Sequence, residues 1–284
     1  MYRSLALLSL AAPALAQTAV SSDVYAKITR YTQFSAAAYA DSCTTPPSGS
    51  SVVKYFNDNA TDTQATLFQD DAAKELIIAY RGTSTPTDLD TDLQFILVPL
   101  TAEGTDCSAC RVHQGFQAAY NALAADVTAQ VESALSDNPG FTLTITGHSL
   151  GGGIAAIATA AFSGLGHTVT TYTFGEPLNG NAAWVQYIEN AVPDSNYFRI
   201  THANDGVPQI PPTLLGYSHH GSEFWQREAG QNSAATTFAC GKQSTTCNAA
   251  QNFGSNPINR AHLTYTGGVI GNSLNIVACG AEEM

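Results

Sequence analysis

The spacing of apolar residues predicts a succession of helices and strands in the first half of the chain. A helix is predicted from Asp23 to Tyr39, before a loop rich in proline, glycine and serine. Three strand patterns follow, at Val52–Phe56, Ala65–Gln69 and Leu76–Arg81. A second predicted helix has one apolar stripe and ends at Asn138-Pro139-Gly140. The stripe consists of Phe116, Tyr120, Leu123, Val127 and Val131.

The second half of the chain alternates single strands with helices. Apolar and polar residues alternate with a period of two over Phe141–Thr146, and from Ile154 onward the apolar residues recur at helical spacing. Strands are predicted at Val169–Phe174 and Tyr197–Thr201, with a helix from about Ala182 to Asn190 between them. This order predicts an α/β fold with an open, mostly parallel sheet covered on both faces. Active sites of such sheets lie at the carboxyl ends of the strands.

The first sixteen residues have the form of a secretory signal peptide. Arg3 provides the positive charge, Leu5–Ala12 the apolar region, and Ala14-Leu15-Ala16 a cleavage site before Gln17. Every later apolar run is interrupted by Thr, Asn, Asp or Gly, so we expect no membrane span. Residues 17–284 fit a single α/β domain, and we expect a soluble protein that is secreted to the extracellular space.

The surface of the protein is expected to be acidic. The sequence has 11 basic and 23 acidic residues, which give a formal charge of −12 at pH 7. Such a surface argues against nucleic acid as a partner. Asn59-Ala60-Thr61 is the single N-glycosylation sequon, and it predicts an exposed loop.

Six cysteines behind a signal peptide predict three disulfides. Two pairs are close enough in sequence to close local loops, and the remaining pair would join the chain ends, although sequence alone does not fix the pairing. These pairs are Cys107 with Cys110, Cys240 with Cys247, and Cys43 with Cys279. A zinc site at the first pair is disfavoured, because no second CxxC or suitably spaced histidine pair accompanies it. No metal or cofactor is expected.

Gly147-His148-Ser149-Leu150-Gly151 is the most informative motif of the chain. A serine between two glycines, after a predicted strand and before a predicted helix, has the form of a nucleophile elbow. The glycines remove side chains where the strand and the helix approach most closely. Ser149 is therefore the candidate nucleophile. His148 is interpreted as structural, because adjacent side chains on a tight turn diverge.

A serine nucleophile needs a histidine base and an acid that orients the histidine. In elbow-type hydrolases the acid follows the serine along the chain, and the histidine follows the acid. Asp205 comes after the predicted strand Tyr197–Thr201, whereas Asp194 precedes it and so lies at the wrong end. Asp205 is therefore the predicted acid, with Glu176 and Glu223 as weaker alternatives.

Three histidines follow the predicted acid. His219 and His220 are consecutive and precede a strand-like segment, where one side chain would point into the core and the other outward. His262 lies after a loop rich in Asn, Gly and Pro, which suits a base that reaches across the sheet edge. The reaction also needs two amide donors for the oxyanion. We expect the backbone N–H groups of Leu150 and Thr83 to supply them.

These motifs together resemble the fungal class 3 lipase family, of the filamentous-fungal lipase and feruloyl esterase A type. The matching segments cover nearly the whole mature chain in the same order. They are Tyr80–Thr83, Val112–Phe116, Thr146–Gly152, Tyr172–Pro177, Thr201–Pro208, Pro211-Pro212 with Gly216–His219, and Ala261–Tyr265.

The resemblance implies an α/β-hydrolase fold with a lid and a set of site residues. The implied catalytic triad is Ser149, Asp205 and His262, and the implied oxyanion hole is Thr83 with Leu150. The implied disulfides are Cys43–Cys279, Cys107–Cys110 and Cys240–Cys247.

The implied lid lies at about Ser84–Pro99. Lipases of this family usually have a tryptophan in an apolar lid helix, whereas this chain has Leu89 at that position, with Asp88, Asp90 and Asp92 around it. Carboxylates are costly to transfer from water into lipid. The lid sequence therefore looks more like that of feruloyl esterase A.

The family's substrate-binding positions correspond to Asp92, Phe95, Ile210 and Ile258. Phe95 stands where feruloyl esterase A has a tyrosine, and the run Phe95–Val98 is more apolar than a purely phenolic site would be. We expect a monomeric carboxylic ester hydrolase that forms an acyl-enzyme. Small-molecule or polymer-linked feruloyl and related plant cell-wall esters are the first hypothesis for its substrate. Acylglycerols at a lipid interface are the second, and a non-catalytic binding protein on the same fold is a third.

Overall fold

Strands and helices alternate in the middle of the chain, over residues 111–202, as the spacing of apolar residues predicted there. The computed structural model describes residues 17–83, 95–271 and 279. The predicted signal peptide, residues 1–16, lies outside the described residues, and so does most of the predicted lid, including Asp92. The described helices are α1 (Ser22–Ala37), α2 (Gln114–Asp137), α3 (Leu150–Gly164) and α4 (Ala182–Ala191).

The strands form one large sheet and two small ones. They are β1 (Thr18–Ala19), β2 (Ser51–Asp58), β3 (Thr63–Asp70), β4 (Glu75–Tyr80), β5 (Leu97–Pro99), β6 (Arg111–His113), β7 (Thr142–His148), β8 (Val169–Phe174), β9 (Tyr197–His202), β10 (Ser222–Gln226), β11 (Thr237–Gly241), β12 (Thr264–Tyr265) and β13 (Gly268–Val269). The large sheet has nine strands in the order β1-β11-β10-β9-β8-β7-β4-β3-β2. The small sheets pair β5 with β6 and β12 with β13.

The centre of the large sheet is parallel from β4 through β7, β8 and β9 to β10. Its two margins, β2-β3-β4 and β10-β11-β1, are antiparallel. In the parallel part Tyr80 pairs with Gly147, and Gly147 pairs with Thr173. The carboxyl ends of β4, β7 and β8 are therefore level, so the loops that follow them meet at one edge of the sheet.

Helices pack on both faces of the sheet and explain the alternating pattern of β7. Leu143 and Ile145 belong to the core under α2, α3 and α4, which also buries the whole predicted stripe of α2. Thr146 points to the opposite face, where its hydroxyl is 2.7 Å from that of Ser35 on α1. On that face the ring of Tyr31 stacks on the ring of Tyr172 with centroids 4.2 Å apart.

The cysteines pair as the resemblance implied, with bonds Cys43–Cys279, Cys107–Cys110 and Cys240–Cys247. Asn59 is exposed in the turn between β2 and β3, as expected for a sequon, and its glycosylation stays a prediction. Within the described ranges, no helix has the length and apolar character needed to cross a membrane.

Candidate active site

Ser149 lies at a sharp turn between β7 and α3. Its backbone angles are φ 59° and ψ −128°, a strained conformation for a residue with a side chain. A Cβ at Gly147 would lie 2.2 Å from the carbonyl oxygen of Gly151, and one at Gly151 would lie 2.2 Å from that of Tyr80. The two glycines are therefore required by the close approach of strand and helix, as the motif predicted. The Ser149 N–H donates to the Phe174 carbonyl oxygen at 2.9 Å, which ties the turn to β8.

The side chains of Ser149, His262 and Asp205 form one buried chain of hydrogen bonds. His262 Nε2 is 2.9 Å from Ser149 Oγ, and its Nδ1 is 3.0 Å from each carboxylate oxygen of Asp205. Because Nδ1 faces two acceptors, it bears the ring proton of the neutral imidazole. Nε2 is then the acceptor for the serine hydroxyl. All three side chains are buried.

The Asp205 carboxylate accepts further hydrogen bonds that fix its orientation. Oδ1 accepts from the Val207 N–H at 2.9 Å, and Oδ2 accepts from the Tyr265 hydroxyl at 2.5 Å. Burial and the negative charge of Asp205 raise the pKa of Tyr265 well above its usual value, so its hydroxyl remains a donor. Gly175 has φ +57°, and a Cβ there would lie 2.9 Å from both Asp205 Oδ2 and His262 Nδ1. Only glycine leaves room for the acid and the histidine at this point.

A second histidine supports the backbone of His262. The Nε2 of His148 is 2.9 Å from the carbonyl oxygen of His262, so it bears a proton and donates. The Nδ1 of His148 then accepts from the Tyr39 hydroxyl at 2.8 Å. Burial and the neighbouring His262 lower the pKa of His148 well below its usual value, which keeps the ring neutral. The interpretation of His148 as structural agrees with these contacts, although no signal in the sequence pointed to its hydrogen bond with His262.

The loop after β4 runs directly beside the elbow. A Cβ at Gly82 would lie 2.2 Å from the Tyr39 hydroxyl, 2.6 Å from the His148 carbonyl oxygen and 3.1 Å from Ser149 Cβ. Thr83 follows, and its buried Oγ1 has no hydrogen-bond partner among the described residues. Leu150 is the first residue of α3, where unpaired N–H groups and the helix dipole favour negative charge. Leu150 therefore directly follows Ser149, and Thr83 directly follows a glycine that lies beside Ser149.

The alternative acids have partners other than His262. Asp194 is mostly exposed and forms an ion pair with Lys242, with Oδ1 2.7 Å from Nζ. Glu223 is buried and accepts from the Thr201 hydroxyl at 2.6 Å. Glu176 lies at the end of β8, and burial raises its pKa to about 7. None of the three has a hydrogen bond to His262.

The alternative histidines are also engaged elsewhere. His219 Nε2 donates to the Pro208 carbonyl oxygen at 2.5 Å. His220 Nε2 is 3.3 Å from Glu176 Oε1, but the contact is not an ion pair, because burial and Arg199 lower the pKa of His220 to about 3. His262 is thus the histidine that contacts Ser149, as expected from its loop position.

The expected substrate-binding positions are only partly described. Ile258 is buried against Val207, two residues beyond Asp205, and Ile210 follows in a half-buried position. Phe95 is half-buried at the start of the segment that leads into β5. Asp92 lies outside the described residues.

One group of residues in the described part of the chain has the spacing of a metal site. Atoms of Glu223, Cys240 and Cys247 lie within 4.8 Å of one another. The two sulfurs are joined in a disulfide, so neither is available as the thiolate that metals bind. This group is therefore unsuited to a metal ion.

Comparison with known proteins agrees with this architecture. A family model described as Lipase (class 3) matches residues 77–215, from β4 to the loop beyond Asp205. The solved Yarrowia lipolytica LIP2 lipase superposes with a TM-score of 0.81 at 22% identity, over 91% of this chain and 98% of that one. The fold is the expected α/β-hydrolase fold.

Two curated relatives are similar in sequence. The chain is 34% identical over 162 residues to the secreted mono- and diacylglycerol lipase 1 of Fusarium solani, which covers 57% of this chain and 46% of that protein. It is 31% identical over 179 residues to the secreted mono- and diacylglycerol lipase A of Penicillium cyclopium. This match covers 62% of this chain and 56% of that protein. The chain thus spans about half the length of these relatives. It is similar to the class 3 lipase family over residues 77–215, just under half of its length.

Proposed function

We propose that the protein hydrolyses carboxylic esters through an acyl-enzyme on Ser149. The observation that supports this proposal is the buried hydrogen-bond chain from Ser149 Oγ through His262 to Asp205, next to the loop of Thr83. The match of residues 77–215 to the class 3 lipase family model supports the same chemistry.

In the proposed acylation, His262 Nε2 takes the proton of Ser149 as Oγ attacks the ester carbonyl carbon. The imidazolium that forms is stabilised by Asp205, to which Nδ1–H already donates. When the tetrahedral intermediate collapses, His262 gives the proton to the leaving alcohol. In deacylation it takes a proton from water, which attacks the acyl carbon and releases the acid.

The developing oxyanion is proposed to accept hydrogen bonds from the N–H groups of Leu150 and Thr83. Donors that are already fixed before the reaction cost no reorganisation in the transition state. Two features support this role: the position of Leu150 at the amino end of α3, and the passage of Gly82 within van der Waals reach of Ser149. The free hydroxyl of Thr83 is available for a further bond to the same oxygen.

The proposed substrates are acylglycerols, with mono- and diacylglycerols foremost. This is the second of the two substrate hypotheses drawn from sequence, and the names of the curated relatives favour it over feruloyl esters. The apolar residues at the expected acyl positions, Ile210 and Ile258, are compatible with a fatty acyl chain. Because those relatives are named as secreted proteins, we also propose secretion as one domain after removal of residues 1–16.

The substrate proposal is tested by comparing kcat/KM for a diacylglycerol, a triacylglycerol and methyl ferulate under one set of conditions. We expect the diacylglycerol to be the best substrate and methyl ferulate the poorest. Ser149→Ala, prepared in the same way, is the matched control, since any hydrolysis that remains in it comes from contaminating esterases and can be subtracted. A kcat/KM for methyl ferulate above that for both glycerides would reject the acylglycerol proposal and restore the feruloyl hypothesis.

The aspartates of the predicted lid allow a separate test of whether a lipid–water interface activates the enzyme. Asp88, Asp90 and Asp92 predict a segment that enters lipid poorly. We therefore expect no jump in rate when a partly soluble ester is taken through its solubility limit. A steep rise at phase separation would contradict this prediction.

A further inference from the structure

A cavity of about 380 Å³ is lined in part by the segment that follows Asp205, residues 208–213. Pro208, Gln209, Asn248 and Ala249 are among the residues that line it, and Gln209 Nε2 donates to the Asn248 carbonyl oxygen at 2.9 Å. None of Ser149, Asp205 and His262 lines it, so it is distinct from the candidate active site. Its volume is within the range of small-molecule sites in proteins.

Two buried charged side chains on neighbouring strands line this cavity. Arg199 on β9 and Glu223 on β10 are each 2% exposed and pair in register. Their charged groups are not an ion pair within 4.0 Å in the described part of the chain. Two buried charges side by side without direct contact are unusual, because desolvation is costly unless each charge has partners.

Each of these groups keeps unused hydrogen-bonding capacity. Arg199 donates through Nε to the His220 carbonyl oxygen at 3.2 Å, and its two Nη groups have no acceptor among the described residues. Glu223 Oε1 accepts from the Thr201 hydroxyl at 2.6 Å and from the Asn248 N–H at 3.1 Å. No described donor bonds to its Oε2. The cavity therefore offers both strong donors and a strong acceptor.

His219 also lines the cavity, and its ring is held against Pro208. Its Nε2 must bear a proton, since it donates to the Pro208 carbonyl oxygen, so Nδ1 is unprotonated in the neutral ring. Nδ1 is buried and has no partner in the described structure. Burial lowers the pKa of His219 well below its usual value, which prevents the ring from becoming a donor at both nitrogens.

The charges of the lining restrict the class of ligand. An anion on Arg199 would lie beside the Glu223 carboxylate, and a cation on Glu223 would lie beside the guanidinium. A neutral molecule with adjacent hydroxyls avoids both repulsions, because each hydroxyl accepts and donates at once. We propose that this cavity binds a small neutral polyol, with one hydroxyl oxygen accepting from Arg199 Nη and its neighbour donating to Glu223 Oε2.

Two sources share this chemistry, namely glycerol released from acylglycerols and a free monosaccharide. The probes are therefore glycerol and D-glucose, titrated separately into the ¹⁵N-labelled protein while amide resonances of β9, β10 and residues 243–249 are followed by NMR. We expect saturable shifts at these positions, with a dissociation constant on the order of 1–10 mM for at least one probe. Saturation distinguishes binding from the general stabilisation that polyols cause by exclusion from protein surfaces.

A matched pair of variants locates the effect. Ala249 and Ala250 are both exposed neighbours, but only Ala249 lines the cavity. Ala249→Trp should obstruct the cavity and weaken polyol binding about tenfold or more, whereas Ala250→Trp should leave polyol binding unchanged. Both variants keep Arg199 and Glu223, so neither exposes a buried charge.

Three results would overturn the proposal. The first is the absence of saturable shifts with both probes at concentrations up to about a hundred times the expected dissociation constant. The second is equal binding by the two tryptophan variants. The third is tighter binding of acetate than of either polyol, which would mean that the site selects anions. Since the readout is binding and not ester hydrolysis, the result is independent of the proposed catalytic function.

Discussion

Glu176→Gln should make the protein more stable at alkaline pH than the parent chain. The side chain of Glu176 is fully buried, and its Oε2 accepts from the Thr173 hydroxyl at 2.5 Å and from the Tyr197 hydroxyl at 3.0 Å. Its Oε1 has no hydrogen-bond partner in the described structure and lies 3.3 Å from His220 Nε2. Burial raises the pKa of this carboxyl from 4.5 to about 7, against the opposing effects of Thr173, Arg199 and Tyr197.

The sign of the effect follows from proton binding in the two states. Between the unfolded pKa of 4.5 and the folded pKa of about 7, the folded protein binds more protons at this site than the unfolded chain does. Its contribution to stability is therefore complete below the unfolded value and is lost as the pH rises through 7. One pKa unit corresponds to about 1.4 kcal/mol, so the loss by pH 9 is about 3 kcal/mol.

Glutamine removes the charge and keeps the contacts. Its carbonyl oxygen can accept from Thr173 and Tyr197, while its NH₂ group faces the neutral ring of His220. We expect the free energy of unfolding of the variant, minus that of the parent, to rise by about 3 kcal/mol between pH 4.5 and pH 9.

The measurement is urea unfolding with the disulfides intact, at both pH values and with linear extrapolation to water. Asp126→Asn removes a charge from an exposed position of α2 and controls for the change in net charge. A difference between Glu176→Gln and the parent that is the same at both pH values would refute the assignment of a buried carboxyl that titrates near neutrality.

Four substitutions, two at the candidate triad and two at Asp194 and Tyr265, have separate expected outcomes. Ser149→Ala should lower kcat for ester hydrolysis by up to ~10⁶ with the melting temperature retained, and a tenth of parental activity would reject the nucleophile. Asp205→Asn should lower kcat by about 10⁴, while Asp194→Asn, at an exposed position paired with Lys242, should retain parental kcat; equal losses would show that the wrong acid was chosen. Tyr265→Phe removes a hydrogen bond to a charged oxygen and should lower kcat roughly 10- to 100-fold with KM unchanged, and parental kcat in this variant would exclude a positioning role.

Much of the fold was predictable because its determinants are local in sequence. The apolar stripe of α2 and the alternation of apolar and polar residues in β7 each indicate which face of the element is buried. The helix predicted at 23–39 is observed as α1 at Ser22–Ala37, and the strand predicted at 197–201 as β9 at Tyr197–His202. The antiparallel margin formed by β1 and β11 was not predicted, since two-residue and five-residue strands leave little periodic signal.

The support around the triad was not predictable in the same way. The hydrogen bond from His148 to His262 joins residues 114 positions apart, and that from Tyr39 to His148 joins residues 109 positions apart. No spacing rule connects such residues. Tyr265 is different, because it lies three positions after His262 within a recognised segment. Its position so close to His262 in sequence could have identified the Tyr265 hydroxyl as a hydrogen-bond donor to Asp205.

The carboxyl ends of β4, β7 and β8 are level, and this arrangement brings the loops that hold the catalytic residues close together. The loops that follow these strands meet where a Cβ at Gly82, Gly151 or Gly175 would collide with a neighbouring loop. Adding a side chain at Gly175 would displace both Asp205 and His262, since the new atom would lie 2.9 Å from each. The close packing of these backbone segments therefore restricts the positions of serine, histidine and aspartate relative to one another. His148 orients the backbone of His262, and Tyr265 orients the Asp205 carboxylate, and both of these side chains are uncharged. The negative charge of Asp205 is thus in place to stabilise an imidazolium at His262.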